Sequence, residues 1–159
     1  MSFRNLKSFV VAIFFCFTLE SFAMEDEEVI AFTDFIQTII NTTNGMNHGV
    51  VCSVGSDEIS KALSEKNAKF IDLDKDPKKS QSCKVIYVAH GQERYLRSEI
   101  SKFNKDKILT IGIFDGFSEA GGYVLVQMGR RNFELTLNSK TVKETGIRLS
   151  PLAMDLVIN

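Results

Sequence analysis

Residue types that mark many catalytic and metal sites are scarce in this sequence. It has no tryptophan, two prolines, two histidines and three cysteines among 159 residues. His48 and His90 are far apart, and neither an HExxH nor a CxxC sequence is present, which excludes the common zinc motifs and a thioredoxin-like exchange site. A GxSxG nucleophile elbow is also absent. We therefore expect no catalytic motif, no metal site and no cofactor, although an enzyme assembled from scattered residues stays open.

An excess of positive charge is lacking as well. The chain has 19 lysines and arginines against 20 aspartates and glutamates, a formal net charge of -1. A protein that binds a polyanion usually carries a basic patch or stripe. We expect no nucleic-acid partner.

The first 23 residues have the pattern of a secretory signal peptide. Arg4 and Lys7 precede the apolar run 9–19, and the small-x-small sequence SFA follows. An uncleaved membrane anchor is the alternative, but the run is short for a span and an acidic residue follows it. We expect cleavage after residue 23, export to the periplasm, and one domain over residues 24–159.

Cleavage would leave two cysteines, Cys52 and Cys83. In an exported protein, a single disulfide between them is the leading interpretation. Two buried free thiols are the alternative. Neither interpretation supports thiol exchange, because the two cysteines are 31 positions apart.

Strand and helix patterns alternate along the remaining chain. Apolar residues recur at helical spacing between Glu25 and Thr43, in a segment whose N-cap is predicted at Ser56, and over 91–104. Strands are predicted over 49–55, 68–73, 83–89 and 107–113, with a polar loop over 74–82. This order predicts a three-layer α/β fold with a mostly parallel sheet and helices on both of its faces.

The last third of the chain has a different pattern. Two strand-like runs flank Gly129, so they predict an antiparallel hairpin with Arg130 and Arg131 at its tip. A short helix closed by Gly146 follows, and Ser150 with its adjacent proline is typical of the start of a C-terminal helix.

The segment FDGFSEAGG, residues 114–122, resembles a phosphate-binding loop at first sight. Gly116 and Gly121 have the spacing of GxxxxGK[ST], but Gly122 and Tyr123 stand where lysine and serine or threonine are required. A mechanical role is favoured: Asp115 accepts hydrogen bonds in a tight turn, FSEA forms one helical turn, and the double glycine permits a positive φ or a close backbone approach. We expect it to lead from the last parallel strand into the hairpin.

A ligand crevice is predicted where the parallel strands end. Gly55, His90 and Asp115 follow three predicted strands, and open parallel sheets bind ligands at such ends. An exposed loop histidine is the alternative for His90. Asp115 and Glu119 are four positions apart, which is typical of a solvated helical face rather than an acid–base pair. A small ligand therefore remains a candidate partner.

Four ordered motifs resemble those of the YfiR-like family of bacterial periplasmic proteins. They are VVCSVGSDEISKAL, SCKVIYVA, ILTIGIFDGFSEAGGYVLVQ and RNFELTLNSKTVKETGIRLSPLAMDLVI. The turn in the third motif is the best single marker of the resemblance, and its motif residues are Asp115, Gly116, Phe117, Glu119, Gly121 and Gly122.

The resemblance implies a non-enzymatic regulator that binds the periplasmic part of an inner-membrane diguanylate cyclase and restrains cyclic-di-GMP synthesis. It also implies homodimers and a structural disulfide between Cys52 and Cys83. The sequence departs from the family in two places. The segment INTTNGMNHG lacks the usual aromatic–proline pair, and a second cysteine pair is missing, so a redox response resting on that pair is in doubt.

Overall fold

The structure, a computed structural model, describes residues 24–129 and 132–151. The predicted signal peptide, the hairpin tip at Arg130 and Arg131, and most of the predicted C-terminal helix lie outside the described residues. The elements are α1 Asp26–Thr42, β1 Val50–Val54, α2 Glu58–Lys66, β2 Phe70–Asp72, a 3₁₀ helix Pro77–Ser82, β3 Cys83–Val88, α3 Glu93–Lys105, β4 Leu109–Gly112, β5 Val124–Met128, β6 Phe133–Leu137 and α4 Ser139–Thr145.

The strands form one sheet in the order β2-β1-β3-β4-β5-β6. Neighbours from β2 to β5 are parallel, and β5 pairs with β6 antiparallel. The predicted mixed α/β sheet with a C-terminal antiparallel pair is confirmed. None of the helices in the described part of the chain has the length and hydropathy that crossing a membrane requires.

Two hydrophobic layers cover the two faces of the sheet. Val85 and Tyr87 of β3 point into the layer that holds α1 and α2, whereas Ile86 and Val88 point into the layer that holds α3. This follows from the two-residue period of a strand, and it makes β3 apolar on both sides. The strand predicted over 83–89 is thus β3, with two neighbours on one side of the sheet and three on the other.

Two local predictions were wrong. The N-cap of α2 is Asp57, not Ser56, because the Asp57 carboxylate accepts from the Ser60 N–H while the Ser60 hydroxyl accepts from the Asp57 N–H. That reciprocal pair satisfies two backbone donors at once.

The second concerns the predicted polar loop 74–82, which contains the 3₁₀ helix. This helix has Pro77 at its start and is held to α3 by a 3.1 Å bond from Lys102 Nζ to Ser80 Oγ.

The connection after β4 also differs from the prediction. Residues 113–123 join β4 to β5, and these two strands are parallel. The segment therefore crosses over between parallel strands, and β5 itself is the last parallel strand as well as the first strand of the hairpin. The predicted single helical turn is present, with the Ala120 N–H donating to the Gly116 carbonyl at 2.9 Å.

Candidate functional site at the carboxyl edge of the sheet

The carboxyl ends of the parallel strands form a crevice where the strand order reverses. The chain moves from β1 outward to β2 and then returns to the other side of β1 for β3. Loops diverge at such a point and leave a depression in the surface. A cavity of about 570 Å³ lies here, with Asp57, His90, Phe114 and Asp115 among its lining residues. We call it the switch-point crevice.

Gly55 lies beside this crevice rather than in it. It lines a neighbouring cavity with Ser56 and Asp72. Its φ is 78°, and a Cβ there would lie 2.9 Å from the Ala89 Cβ. Its N–H donates to the two carboxylate oxygens of Asp74 at 3.2 and 3.1 Å. Glycine is required here by backbone conformation and by the close approach of the loop after β3.

Asp57 connects the crevice to the core. One carboxylate oxygen caps α2 through the Ser60 N–H at 2.7 Å, and the other accepts the hydroxyl of Tyr87 at 2.8 Å. Tyr87 is fully buried. Both oxygens therefore have a structural role, which sequence reasoning missed. The Asp-x-x-Ser spacing of a capping box was the signal that could have found it.

We predict that Asp57→Ala lowers the free energy of unfolding by about 2 kcal/mol. The substitution removes a helix cap and leaves a buried hydroxyl without its partner. Asp57→Asn is the matched control, since its amide can still accept from Ser60 and can donate to the Tyr87 oxygen, so it should lose less than half as much. Urea denaturation measures both, and equal losses in the two variants would contradict the assignment.

The same bond predicts a decline of stability in alkali. Burial raises the pKa of Tyr87 well above its ordinary value of 10.0, and the Asp57 carboxylate raises it further. The pKa of Tyr87 is higher in the folded than in the unfolded chain. The contribution of its neutral hydroxyl to the free energy of unfolding is therefore complete below about pH 10, and it is lost as the pH rises toward the folded-state pKa. We expect urea stability to fall above about pH 10, and to fall less steeply in Tyr87→Phe. Burial also raises the pKa of Tyr95 and Tyr123, so the variant keeps part of the decline. Identical declines would refute the role of Tyr87.

Two aromatic rings, His90 and Phe114, line one wall of the crevice, and the buried Phe117 packs behind them. The His90 ring lies edge-on to Phe114, with 5.8 Å between ring centroids, and Phe114 lies edge-on to Phe117 at 5.4 Å. Asp115 accepts from Gln127 Nε2 at 3.2 Å. The structure thus brings His90 and Asp115 to one crevice, with the exposed imidazole of His90 beside an apolar wall.

The motif turn is built around the Phe117 ring. Phe117 is fully buried. A Cβ on Gly112 would lie 2.3 Å from its Cδ2, and a Cβ on Gly122 would lie 2.1 Å from its Cε1. The ring therefore occupies a slot between two glycines, one at the end of β4 and one just before β5. This is the reason for the second glycine of the motif.

The other motif residues have lesser roles in the turn. Gly116 has a φ of 83° in open space, and Gly121 has a φ of 97° against Ile100. Glu119 is exposed, and its carbonyl accepts from Arg97 at 3.1 Å. Asp115 and Glu119 therefore do not act as a pair in this structure.

Polar side chains from the C-terminal part hold the turn in place. Asn138 Nδ2 donates to the Ser118 carbonyl at 2.8 Å, and Thr141 Oγ1 donates to the Gly121 carbonyl at 2.8 Å. Asn138 also caps α4. The turn, the hairpin and α4 are thus one connected structure beside the crevice.

Cys52 and Cys83 form a disulfide. Both are buried, at 0% and 3% exposure, and they join the neighbouring strands β1 and β3. The bond lies in the α3 layer, behind the crevice rather than in it. It stabilises the two strands from which the crevice loops emerge.

The polar groups of the crevice are arranged for binding, and they do not match a known catalytic site. Its aspartates are engaged in capping and turn bonds. No group of three or more potential metal ligands occurs within residues 24–129 and 132–151. The apolar wall and the imidazole edge are suited to an aromatic or amphipathic group.

Comparison with known proteins agrees with this fold. Among solved structures, the chain is similar to a conserved domain protein from Vibrio cholerae, with a TM-score of 0.59 and 11% identity. The similarity covers 81% of this chain, which spans 58% of the length of that protein, and it shows the fold alone. No curated protein sequence matches. A model described as YfiR/HmsC-like matches residues 24–156, and the chain therefore belongs to the YfiR/HmsC-like family.

Proposed function

We propose that this protein is a periplasmic, non-enzymatic regulator that binds the periplasmic part of an inner-membrane diguanylate cyclase and restrains cyclic-di-GMP synthesis. The observation that carries the proposal is the family match over residues 24–156. The signal-like N-terminus and the disulfide support export to an oxidising compartment. The structural role of both Asp57 oxygens favours binding over catalysis at the crevice.

The mechanism follows from differential binding. A regulator restrains a membrane enzyme when it binds the inactive conformation of the periplasmic part more tightly than the active one. A tenfold preference shifts the equilibrium by about 1.4 kcal/mol. We place the contact at the switch-point crevice and the motif turn, where His90 and Asp115 are exposed on a rigid frame.

Deletion of the gene is expected to raise cellular cyclic-di-GMP, measured by mass spectrometry, and the wild-type gene should restore the lower level. The double variant His90→Ala/Asp115→Asn should fold normally but fail to restore it, because it removes exposed contacts only. Lys78→Gln, on the exposed surface of the 3₁₀ helix, is the matched control and should restore it fully.

Co-purification with the periplasmic part of the cyclase separates the steps of the proposal. Binding by wild type and Lys78→Gln but not by the double variant supports the crevice as the contact. Binding by all three proteins would place the contact elsewhere. An unchanged cyclic-di-GMP level after deletion, together with no co-purification, would refute the regulatory role.

A small ligand in the crevice is a second candidate function. It is favoured by the cavity of about 570 Å³ and by the exposed imidazole edge next to Phe114. Such a ligand would raise the melting temperature, by an amount equivalent to about 2.7 kcal/mol at 100 times its dissociation constant. A thermal-shift screen with His90→Ala as the control would detect it.

A further inference from the structure

A second cavity lies at the opposite, amino edge of the sheet. It has a volume of about 530 Å³ and lies between the last turns of α1 and α2 and the residues before β1 and β2. Its floor includes Ile40 and Val51, which are 2% and 1% exposed. No carboxylate is among its lining residues, which include Lys66, Lys69 and His48. An apolar floor with a cationic rim distinguishes it from the crevice at the carboxyl edge.

A chain of side-chain amides fixes the donors on one wall. Asn67 Nδ2 donates to Gln37 Oε1 at 2.9 Å, and Gln37 Nε2 donates to Asn41 Oδ1 at 3.1 Å. Both acceptor oxygens on α1 are therefore occupied. The Nδ2 group of Asn41 donates to no protein atom within the described residues, so the chain of amides ends in free donors.

The ends of two helices face this cavity, and helix C-termini normally repel anions. Here side chains add a second hydrogen bond to carbonyls near the end of each helix. Thr42 and Thr43 hydroxyls donate to the carbonyls of Thr38 and Ile39, each at 2.7 Å. Asn67 Nδ2 donates to the Leu63 carbonyl at 2.7 Å. The acceptors that would oppose an anion are thus partly neutralised.

The cationic groups differ in how they are engaged. Lys66 is paired with Asp34 at 2.6 Å, whereas Lys69 has no ion pair within residues 24–129 and 132–151. His48 has a φ of 61°, a conformation that a non-glycine residue adopts at a cost. The next residue, Gly49, lies so close to Lys84 that a Cβ on it would be 2.7 Å from the Lys84 Cβ. This close approach fixes the path of the loop that carries His48, which is one of the residues lining the cavity.

We infer that this amino-edge cavity binds a small monocarboxylic acid with an apolar body. The carboxylate would lie among Lys69, Asn41 and His48, and the apolar body would cover Ile40 and Val51. Apolar cavities with a few polar groups at the rim are the usual arrangement for such ligands. The inference is independent of the proposed regulatory role.

The test is an NMR titration of the ¹⁵N-labelled mature chain with phenylacetate, and with phenylacetamide as the uncharged counterpart. We expect saturable shifts at the Asn41 side-chain amide and at Val51, with a dissociation constant of about 1 mM. The amide should bind about tenfold more weakly. Lys69→Gln should weaken phenylacetate binding about tenfold, and Lys78→Gln should leave it unchanged.

Gln37→Glu is a second variant that tests the amide chain. It keeps an acceptor for Asn67 but replaces the donor to Asn41 by a carboxylate, so phenylacetate binding should be lost while the fold remains. Equal affinity for acid and amide, unchanged binding by Lys69→Gln, or shifts confined to the carboxyl edge would each overturn the inference. The absence of saturable shifts with phenylacetate at about 10 mM would also overturn it.

Discussion

Gly122→Ala is expected to lower the free energy of unfolding by about 3 kcal/mol and the melting temperature by roughly 10 °C. The new methyl group would lie 2.1 Å from Phe117 Cε1 and 2.3 Å from Cζ. The ring has no room to move away, because the Gly112 backbone lies on its other side, so close that a Cβ there would be 2.3 Å from Cδ2. Phe117 must therefore leave a fully buried position, and displacing a buried phenylalanine costs as much as deleting much of it.

Two controls separate this steric effect from backbone strain. Gly116→Ala adds a methyl group in open space at a φ of 83°, so it should cost only about 1 kcal/mol. In the background of Phe117→Ala, Gly122→Ala should cost almost nothing further, because the atoms that it would meet are gone. Additive losses in the double variant, measured by urea denaturation, would show that Gly122 is required for another reason.

The slot also explains how the motif turn contributes to the crevice. Phe117 holds Phe114 edge-on, and Phe114 in turn supports the His90 ring. A side chain displaced from the slot would therefore move the wall of the crevice, although neither glycine contacts the cavity. In the binding proposed above, the turn would act by positioning exposed groups, since a rigid element holds them more precisely than a free loop.

The order of helices and strands was predictable because each element has its own signal. CKVIYVA is apolar on both faces, as a central parallel strand must be, and the helix closed by Gly146 ends in the left-handed conformation that glycine favours, with a φ of 68°. The pairing of β5 was not predictable, since neither its composition nor its length distinguishes a parallel neighbour from an antiparallel one. Only its hydrogen bonds to β4 decide this.

The candidate sites were less predictable because they depend on contacts across long stretches of sequence. The topology brought His90 and Asp115 together, as the strand-end rule predicts. The bond between Asp57 and Tyr87 spans 30 residues, and so does the bond between Asn67 and Gln37. No local pattern relates such pairs. The sequence also predicted Gly55 in the crevice, but it lies beside the crevice in a neighbouring cavity, and its N–H donates to the Asp74 carboxylate.

Loss of the disulfide is the second large effect that we expect. Cys52→Ala/Cys83→Ala should lower the free energy of unfolding by about 3 to 4 kcal/mol, because the bond closes a loop with a sequence separation of 31 in the unfolded chain. In the folded chain, β1 and β3 are already paired through all five residues of β1, with one register shift between Val50 and Val51. The effect should therefore appear as a lower urea midpoint with little change in the folded structure, observed as an unchanged circular dichroism spectrum in native buffer.

Chemical reduction of the wild-type disulfide provides the matched comparison for the double cysteine variant. Because the two sulfurs lie in residues of 0% and 3% exposure, a thiol reagent must wait for the strands to separate. We expect reduction of the wild type to be slow in native buffer and fast in urea, and reduced wild type to have the urea midpoint of the double variant. Fast reduction in native buffer would mean that β1 and β3 open without global unfolding. In that case the crevice loops that emerge from these strands would not rest on a rigid frame, and the contact proposed for His90 and Asp115 would lose its physical basis.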